Sequence, residues 1–185
     1  MNQLFIQMSG APGAGKSTIA QAIAPQIGAV IIDHDVTKSA LLDADIPFGP
    51  AGKASYFVLY ALAEDLLSQG FTVIFDSPCF YDELLTRGQA IARKANAHYV
   101  YIECVLQDLN ELDRRLQNRL RQRSQVAAIN RSPDDLIDGQ TTNEEVFRNW
   151  ITNMKRPKNN YLLLDTSRPL KVCVAEACAY LTQFS

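Results

Sequence analysis

Gly10-Ala11-Pro12-Gly13-Ala14-Gly15-Lys16-Ser17, followed by Thr18, is the stretch that decides the fold. Its spacing is GxxxxGK[ST], and it stands between a short apolar run at 4–8 and a segment carrying Ile19, Ile23 and Ile27 at helical spacing. Glycines at these places let the backbone curl so that successive N–H groups face one centre. The helix that follows adds the partial positive charge of its N-terminus. The pattern therefore predicts a phosphate-binding loop between a buried strand and a helix. Lys16 is placed to reach the β- and γ-phosphates of ATP, and the Ser17 hydroxyl to ligate Mg²⁺. The expected nucleotide contacts are Gly10, Ala11, Pro12, Gly13, Ala14, Gly15, Lys16, Ser17 and Thr18.

Outward from this loop, apolar runs alternate with helical patterns to the end of the chain. Strands are expected at 4–8, 29–33, 71–76, 98–105 and 161–165. Helices are expected at 16–27, 35–42, 52–69, 82–95, 108–123, 143–154 and 170–181, with a kink or early stop at Pro25 and a left-handed cap at Gly70. Strands that are apolar throughout, each separated from the next by a helix, predict an α/β fold with a parallel sheet covered on both faces. The 185 residues hold no repeat and no linker, so one domain over 1–185 is expected. The polar stretch that follows the arginine-rich helix is too long for an ordinary connection. It reads as a lid over about 119–142.

Carboxylates close two of the strands. Asp33 and Asp35 follow the second as Asp-His-Asp, and Asp76 ends the third. In a parallel sheet these ends share the edge of the phosphate loop. Asp76 is expected to hold Mg²⁺ through water. Asp33 and Asp35 are expected to share a site, Asp33 supporting the metal and Asp35 taking the proton of an attacking hydroxyl. The plain alternative is that Asp35 only caps the next helix. His34 reads as a packed neighbour.

Arg114, Arg115, Arg119, Arg121 and Arg123 crowd the entrance of the polar stretch. Glu111 and Arg115 form an i,i+4 pair, whereas Arg115 and Arg119 repel unless an anion lies between them. Arg119 and Arg123 are therefore expected over a transferring phosphoryl group, with Arg115 at the nucleotide. Nucleic-acid contact is the other use of such a cluster.

With 47% hydrophobic and 21% charged residues and a net charge of -2, the chain is no general nucleic-acid coat. No apolar run suffices for a membrane span. Cys79, Cys104, Cys173 and Cys178 form no CxxC pair, and His34 and His98 offer no zinc spacing. A cytoplasmic protein with buried thiols is expected. The guanine-reading Asn-Lys-x-Asp and the ABC Ser-Gly-Gly signatures are both missing from the sequence.

The phosphate loop, Asp33-His34-Asp35, the strand ending at Asp76, the arginine cluster and Asp165-Thr166-Ser167-Arg168-Pro169 together resemble the small P-loop kinases. That group includes gluconate and shikimate kinases, chloramphenicol phosphotransferase, polynucleotide 5′-kinase and zeta-toxin-like proteins, and its members are often described as AAA family ATPases. The resemblance implies a P-loop NTPase sandwich with strand order 2-3-1-4-5, and ATP with Mg²⁺ as cofactors. It also implies an adenine neighbour at Arg168 and transfer to a hydroxyl of a small molecule. A nucleic-acid 5′-kinase and an ATPase switch without acceptor remain alternatives. No known acceptor-binding set maps onto Tyr56, Tyr60, Arg87 or Gln89.

Overall fold

The first apolar run forms β1 (Leu4–Ser9), and all of it is buried. Around it, in a computed structural model that describes residues 2–136 and 142–184, lie α1 (Lys16–Ile27), β2 (Ala29–Asp33), α2 (His34–Asp43) and α3 (Phe48–Ser68). Then come β3 (Thr72–Asp76), α4 (Asp82–Lys94), β4 (His98–Val105) and α5 (Leu109–Asn118). The chain closes with α6 (Glu144–Thr152), β5 (Tyr161–Asp165) and α7 (Leu170–Leu181). The five strands are parallel, in the order β2-β3-β1-β4-β5. This is the P-loop NTPase sheet.

Alternation along the strands splits the core in two. Leu4, Ile6 and Met8 of β1 pack with Ile74, Ile102 and the inner faces of α1 and α7. Phe5 faces the other way and packs with Val73, Phe75, Tyr101 and the inner faces of α3 and α4. A sheet covered on both faces has no use for polar alternation, so its strands read as unbroken apolar runs. Cys79, Cys104 and Cys173 are buried free thiols, and Cys178 is partly buried. No helix among the described residues is long and apolar enough to cross a membrane.

Helices α1, α3 and α5 depart from the sequence reading for identifiable reasons. Helix α1 runs past Pro25 to a left-handed Gly28 (φ 63°), whose N–H bonds to the Ala24 carbonyl. Pro25 is solvent-exposed, so the carbonyl it leaves unpaired meets water. Helix α3 begins at Phe48 and takes Pro50 into its first turn, where a proline's missing N–H costs nothing. Helix α5 stops at Asn118, because Arg119 turns extended (φ -84°, ψ 153°) and its guanidinium donates to the Val126 carbonyl. The segment beyond it folds back, with Ile129 N–H donating to Asp113 of α5. Of the expected lid, residues 137–141 lie outside the described residues.

The turn out of β1 is sterically tight. Gly10 has φ 127°, and a Cβ there would lie 2.3 Å from the Cys104 carbonyl oxygen of β4. Gly10→Ala is expected to cost about 2 kcal/mol or more, from backbone strain plus a clash with a main-chain atom that cannot rotate away. Chemical denaturation checks this, and a variant as stable as the parent would contradict the tight turn.

Candidate functional site

Three left-handed glycines, Gly10, Gly13 and Gly15 (φ 127°, 85° and 93°), bend the loop between β1 and α1. Lys16 curls back over it, its ammonium donating to the Gly10 and Ala11 carbonyls at 2.9 and 3.2 Å. The loop is braced from outside. The Thr166 hydroxyl, just after β5, donates to the Ala14 carbonyl at 2.8 Å, and Arg115 donates to the Thr166 carbonyl at 2.9 Å. A Cβ on Gly15 would lie 3.8 Å from Arg115 Nη1, so this guanidinium stands at the loop, as the sequence suggested.

Beside the loop, parallel pairing sets Asp33 directly opposite Asp76. Asp76 is buried, and its Oδ2 is without a hydrogen-bond partner. Burial pushes its carboxyl up to about 6, the charge of Asp33 adds to this, and Lys16 and Ser17 work against it. Burial and the charge of Asp35 likewise raise Asp33. Two disfavoured carboxylates next to Lys16 and Ser17 form a site that a cation would relieve. Among the described residues no three His, Cys, Asp or Glu side chains cluster into a cage. That fits Mg²⁺, which keeps its waters and phosphate oxygens and takes few protein ligands.

At the Asp33–Asp35 pair the helix cap falls on Asp33, not on Asp35. Helix α2 starts at His34, and Asp33 is its N-cap, accepting from the Asp35 and Val36 amides at 2.7 and 3.3 Å. The capping residue is therefore Asp33, and Asp35 points away from that duty. Asp35 Oδ2 accepts from the Gln125 side chain at 2.8 Å, and Oδ1 lies 3.6 Å from His34 Nδ1. Burial works to raise the Asp35 carboxyl, but His34, Gln125 and Lys16 outweigh it and hold it at about 2. His34 is itself buried and lies against the Tyr56 ring, with centroids 4.3 Å apart.

The arginines separate into two groups. Arg115 and Arg119 line the cavity above the loop. Arg119 Nε is buried without a partner, and burial lowers the guanidinium's affinity for its proton. Arg123, expected over the phosphoryl group, is instead outside the cavity wall. It is tied to Asp135, to Asp43 and to the Leu42 carbonyl, which fixes the segment after α5 onto α2. The helix that was to carry Arg123 inward ends five residues too early. Arg168 does line the cavity, held by Glu176 and the Asp165 carbonyl.

Lys16, Ser17, Asp33, Asp35, Arg119 and Arg168 open on one cavity of about 2450 Å³ at the carboxyl edge of the sheet, and Asp76 lies buried behind its wall. Its far wall brings residues that the sequence did not single out, chiefly Lys38 on α2 and Gln125. Lys38 stands one turn after Asp35, a spacing visible in the sequence. The contact of Gln125 with Asp35 spans ninety residues and left no local signal.

The raised carboxyl of Asp76 has a stability consequence with a definite sign. Its contribution favours folding below the unfolded value of 3.8 and is lost as pH rises through about 6. Asp76→Asn without nucleotide or metal is therefore expected to be more stable than the parent by about 1–3 kcal/mol near pH 8. The advantage should shrink towards pH 4. Thermal melts across this range measure it, and equal melting at pH 8 would contradict the assignment.

Residues 5–154 match the family model described as AAA domain. Solved structures share the architecture over nearly the whole chain. A candidate kinase from Chloroflexus aurantiacus J-10-fl is 23% identical, with 100% of this chain and 98% of that one covered and a TM-score of 0.73. A gluconokinase from Sinorhizobium meliloti 1021 is 18% identical, with 96% and 91% covered and a TM-score of 0.60. The APS kinase of Mycobacterium tuberculosis, solved with AMPPNP and APS, is 17% identical, with 98% of both chains covered and a TM-score of 0.62. At these identities the likeness is one of fold. No curated protein matches the chain significantly in sequence. The matched stretch begins inside β1, passes the end of α6 and takes in the phosphate loop, both carboxylate strand ends and the arginine cluster, so the chain belongs to the AAA domain family.

Proposed function

We propose that the protein is an ATP-dependent phosphotransferase, acting as one domain over 1–185 in the cytoplasm, that moves the γ-phosphate of ATP onto a hydroxyl of a small molecule. One observation carries the reading. Lys16 and Asp35 open from separate walls onto the same cavity, whose 2450 Å³ exceed the roughly 300–1,000 Å³ of a single-ligand pocket. A nucleotide on the loop leaves room for an acceptor in front of Asp35.

The chemistry asked of the protein is mostly placement and charge. The loop amides and Lys16 hold the phosphate tail. Ser17, Asp76 and Asp33 would hold Mg²⁺, which when bound neutralises charge on the β- and γ-phosphates. Asp35 is ionised at neutral pH, so it can accept the acceptor's O–H and take its proton as the new O–P bond forms. The bond from the γ-phosphorus to the bridging oxygen breaks and ADP leaves. Arg115 and Arg119 face the charge that spreads over the transferred group. The segment from Arg119 to Leu136 serves as lid in this reading, because its Gln125 already touches Asp35.

Two substitutions separate the roles. Lys16→Ala should weaken MgATP binding tenfold or more, about 1.4 kcal/mol, in a folded protein. Calorimetry that found an unchanged affinity would sink the nucleotide site. Asp35→Asn should keep MgATP affinity within a few-fold yet lower acceptor phosphorylation about 10²-fold, the scale of a lost general base. A panel of hydroxylated metabolites with labelled ATP supplies the assay. A fully active Asp35→Asn enzyme would remove Asp35 from the chemistry.

A further inference from the structure

Lys38 is a buried cation pointed at the head of a helix. It is only 9% exposed, and its Nζ lies 3.2 Å from the centroid of the Phe48 ring. A Cβ on Gly52 would sit 3.5 Å from the same nitrogen. Phe48 and Gly52 both belong to the start of α3, so the ammonium hangs over that helix's first turn. Among the described residues no carboxylate forms a salt bridge with it. Asp35 and Asp135 act on it from farther off, and burial still pushes it down to about 8.

The helix head it faces is bare as well. No side chain caps α3, and its first turn holds no acid, although the helix runs for 21 residues. Phe48 and Gly49 carry amides there, and Pro50 has none. Pro47, Phe48, Gly49, Gly52 and Lys38 all line the cavity that Asp35 also lines. A helix N-terminus favours anions, and a half-desolvated ammonium that has only the Phe48 ring face and no salt bridge among the described residues favours them independently. Two sources of positive potential thus converge on one unfilled corner.

We infer that Lys38 and the N-terminal turn of α3 form an oxyanion subsite for the acceptor, so that the acceptor is a small hydroxylated compound bearing a carboxylate or phosphate group. Asp35 and Lys38 stand three residues apart on α2, which places their Cβ atoms roughly 5–6 Å from each other on one face. The acceptor's hydroxyl and its anionic group therefore sit a few bonds apart. Gly52 lies beside the site, where a Cβ would come into van der Waals contact with Lys38 Cε at 3.4 Å. The hydroxyl end of this assignment rests on the phosphotransferase reading. The anion end does not.

The test fills the nucleotide loop with Mg²⁺ and a non-hydrolysable ATP analogue, then titrates inorganic phosphate and acetate separately by calorimetry. Saturable binding of at least one anion is expected. Lys38→Met and Lys38→Gln should each weaken it tenfold or more while their thermal melts show a folded protein. Failure of both anions to bind the parent, or equal affinity in the variants, overturns the subsite. The same titration on Lys16→Ala without nucleotide separates the two readings. Anion binding that still depends on Lys38, where the parent phosphorylates no acceptor of the metabolite panel, supports the subsite and removes the kinase. Conversely, carboxylate- or phosphate-bearing acceptors phosphorylated with equal kcat/KM by the parent and by Lys38→Met would support the kinase and overturn the subsite.

Discussion

The catalytic edge depends on how closely the chain leaves β1 alongside β4. Gly10 turns with its α-carbon against the Cys104 carbonyl, at a place where a methyl group would overlap main chain. Because β1 is the central strand, the loop that follows emerges over the middle of the sheet, flanked by the ends of β3 and β4. Lys16 then lands beside Asp76 without any special device of its own. The opposite side of the loop is held by Thr166, whose hydroxyl reaches both the Ala14 and Val105 carbonyls. One tight turn and one hydroxyl thus fix the loop between two strand ends.

That placement has an electrostatic cost which the fold carries openly. Asp76 and Asp33 face each other in register, Asp76 has only Lys16 and Ser17 as relief, and one of its oxygens has no partner. Elsewhere the same fold satisfies a buried acid fully. Glu103, at the end of β4, takes a two-pronged pair from Arg156 at 2.6 and 2.8 Å. The contrast is informative because both acids stand towards the carboxyl ends of the two strands that flank β1. Glu103 is structural, tying the chain after α6 to the sheet. Asp76 is left short of positive charge, which is what a site waiting for a cation requires.

The sequence disclosed the parts whose cause is local. Continuous apolar runs marked all five strands, and the glycine spacing marked the loop, since both follow from what the backbone must do over a few residues. The roles of Asp33 and Asp35 were less legible. Two residues apart at a strand end point the same way only if the strand continues, and here α2 begins at His34. Asp35 therefore belongs to the helix and Asp33 becomes its cap. The arginines misled for a related reason. The run of charged residues extends the helix on paper to Arg123, but Asn118 ends it, and the chain folds back through Val126 and Ile129, both buried. Lys38 and Gln125 acquire their meaning from partners on other elements.

The fold-back also decides what Asp35 meets. Ser124 binds the Ser39 hydroxyl with its own N–H, and its hydroxyl donates to the Asp35 carbonyl. Arg123 clamps the same stretch to the far end of α2 through Asp43 and the Leu42 carbonyl. Between these anchors Gln125 is held with its amide on Asp35 Oδ2. On the phosphotransferase proposed above, an acceptor hydroxyl reaching that oxygen would displace a neutral amide and replace one hydrogen bond by another, at little net cost. Water could make the same exchange. What favours the acceptor over water is then its remaining contacts with the cavity wall, and binding energy taken there, away from the reacting oxygen, is what turns a nucleotide hydrolase into a transferase.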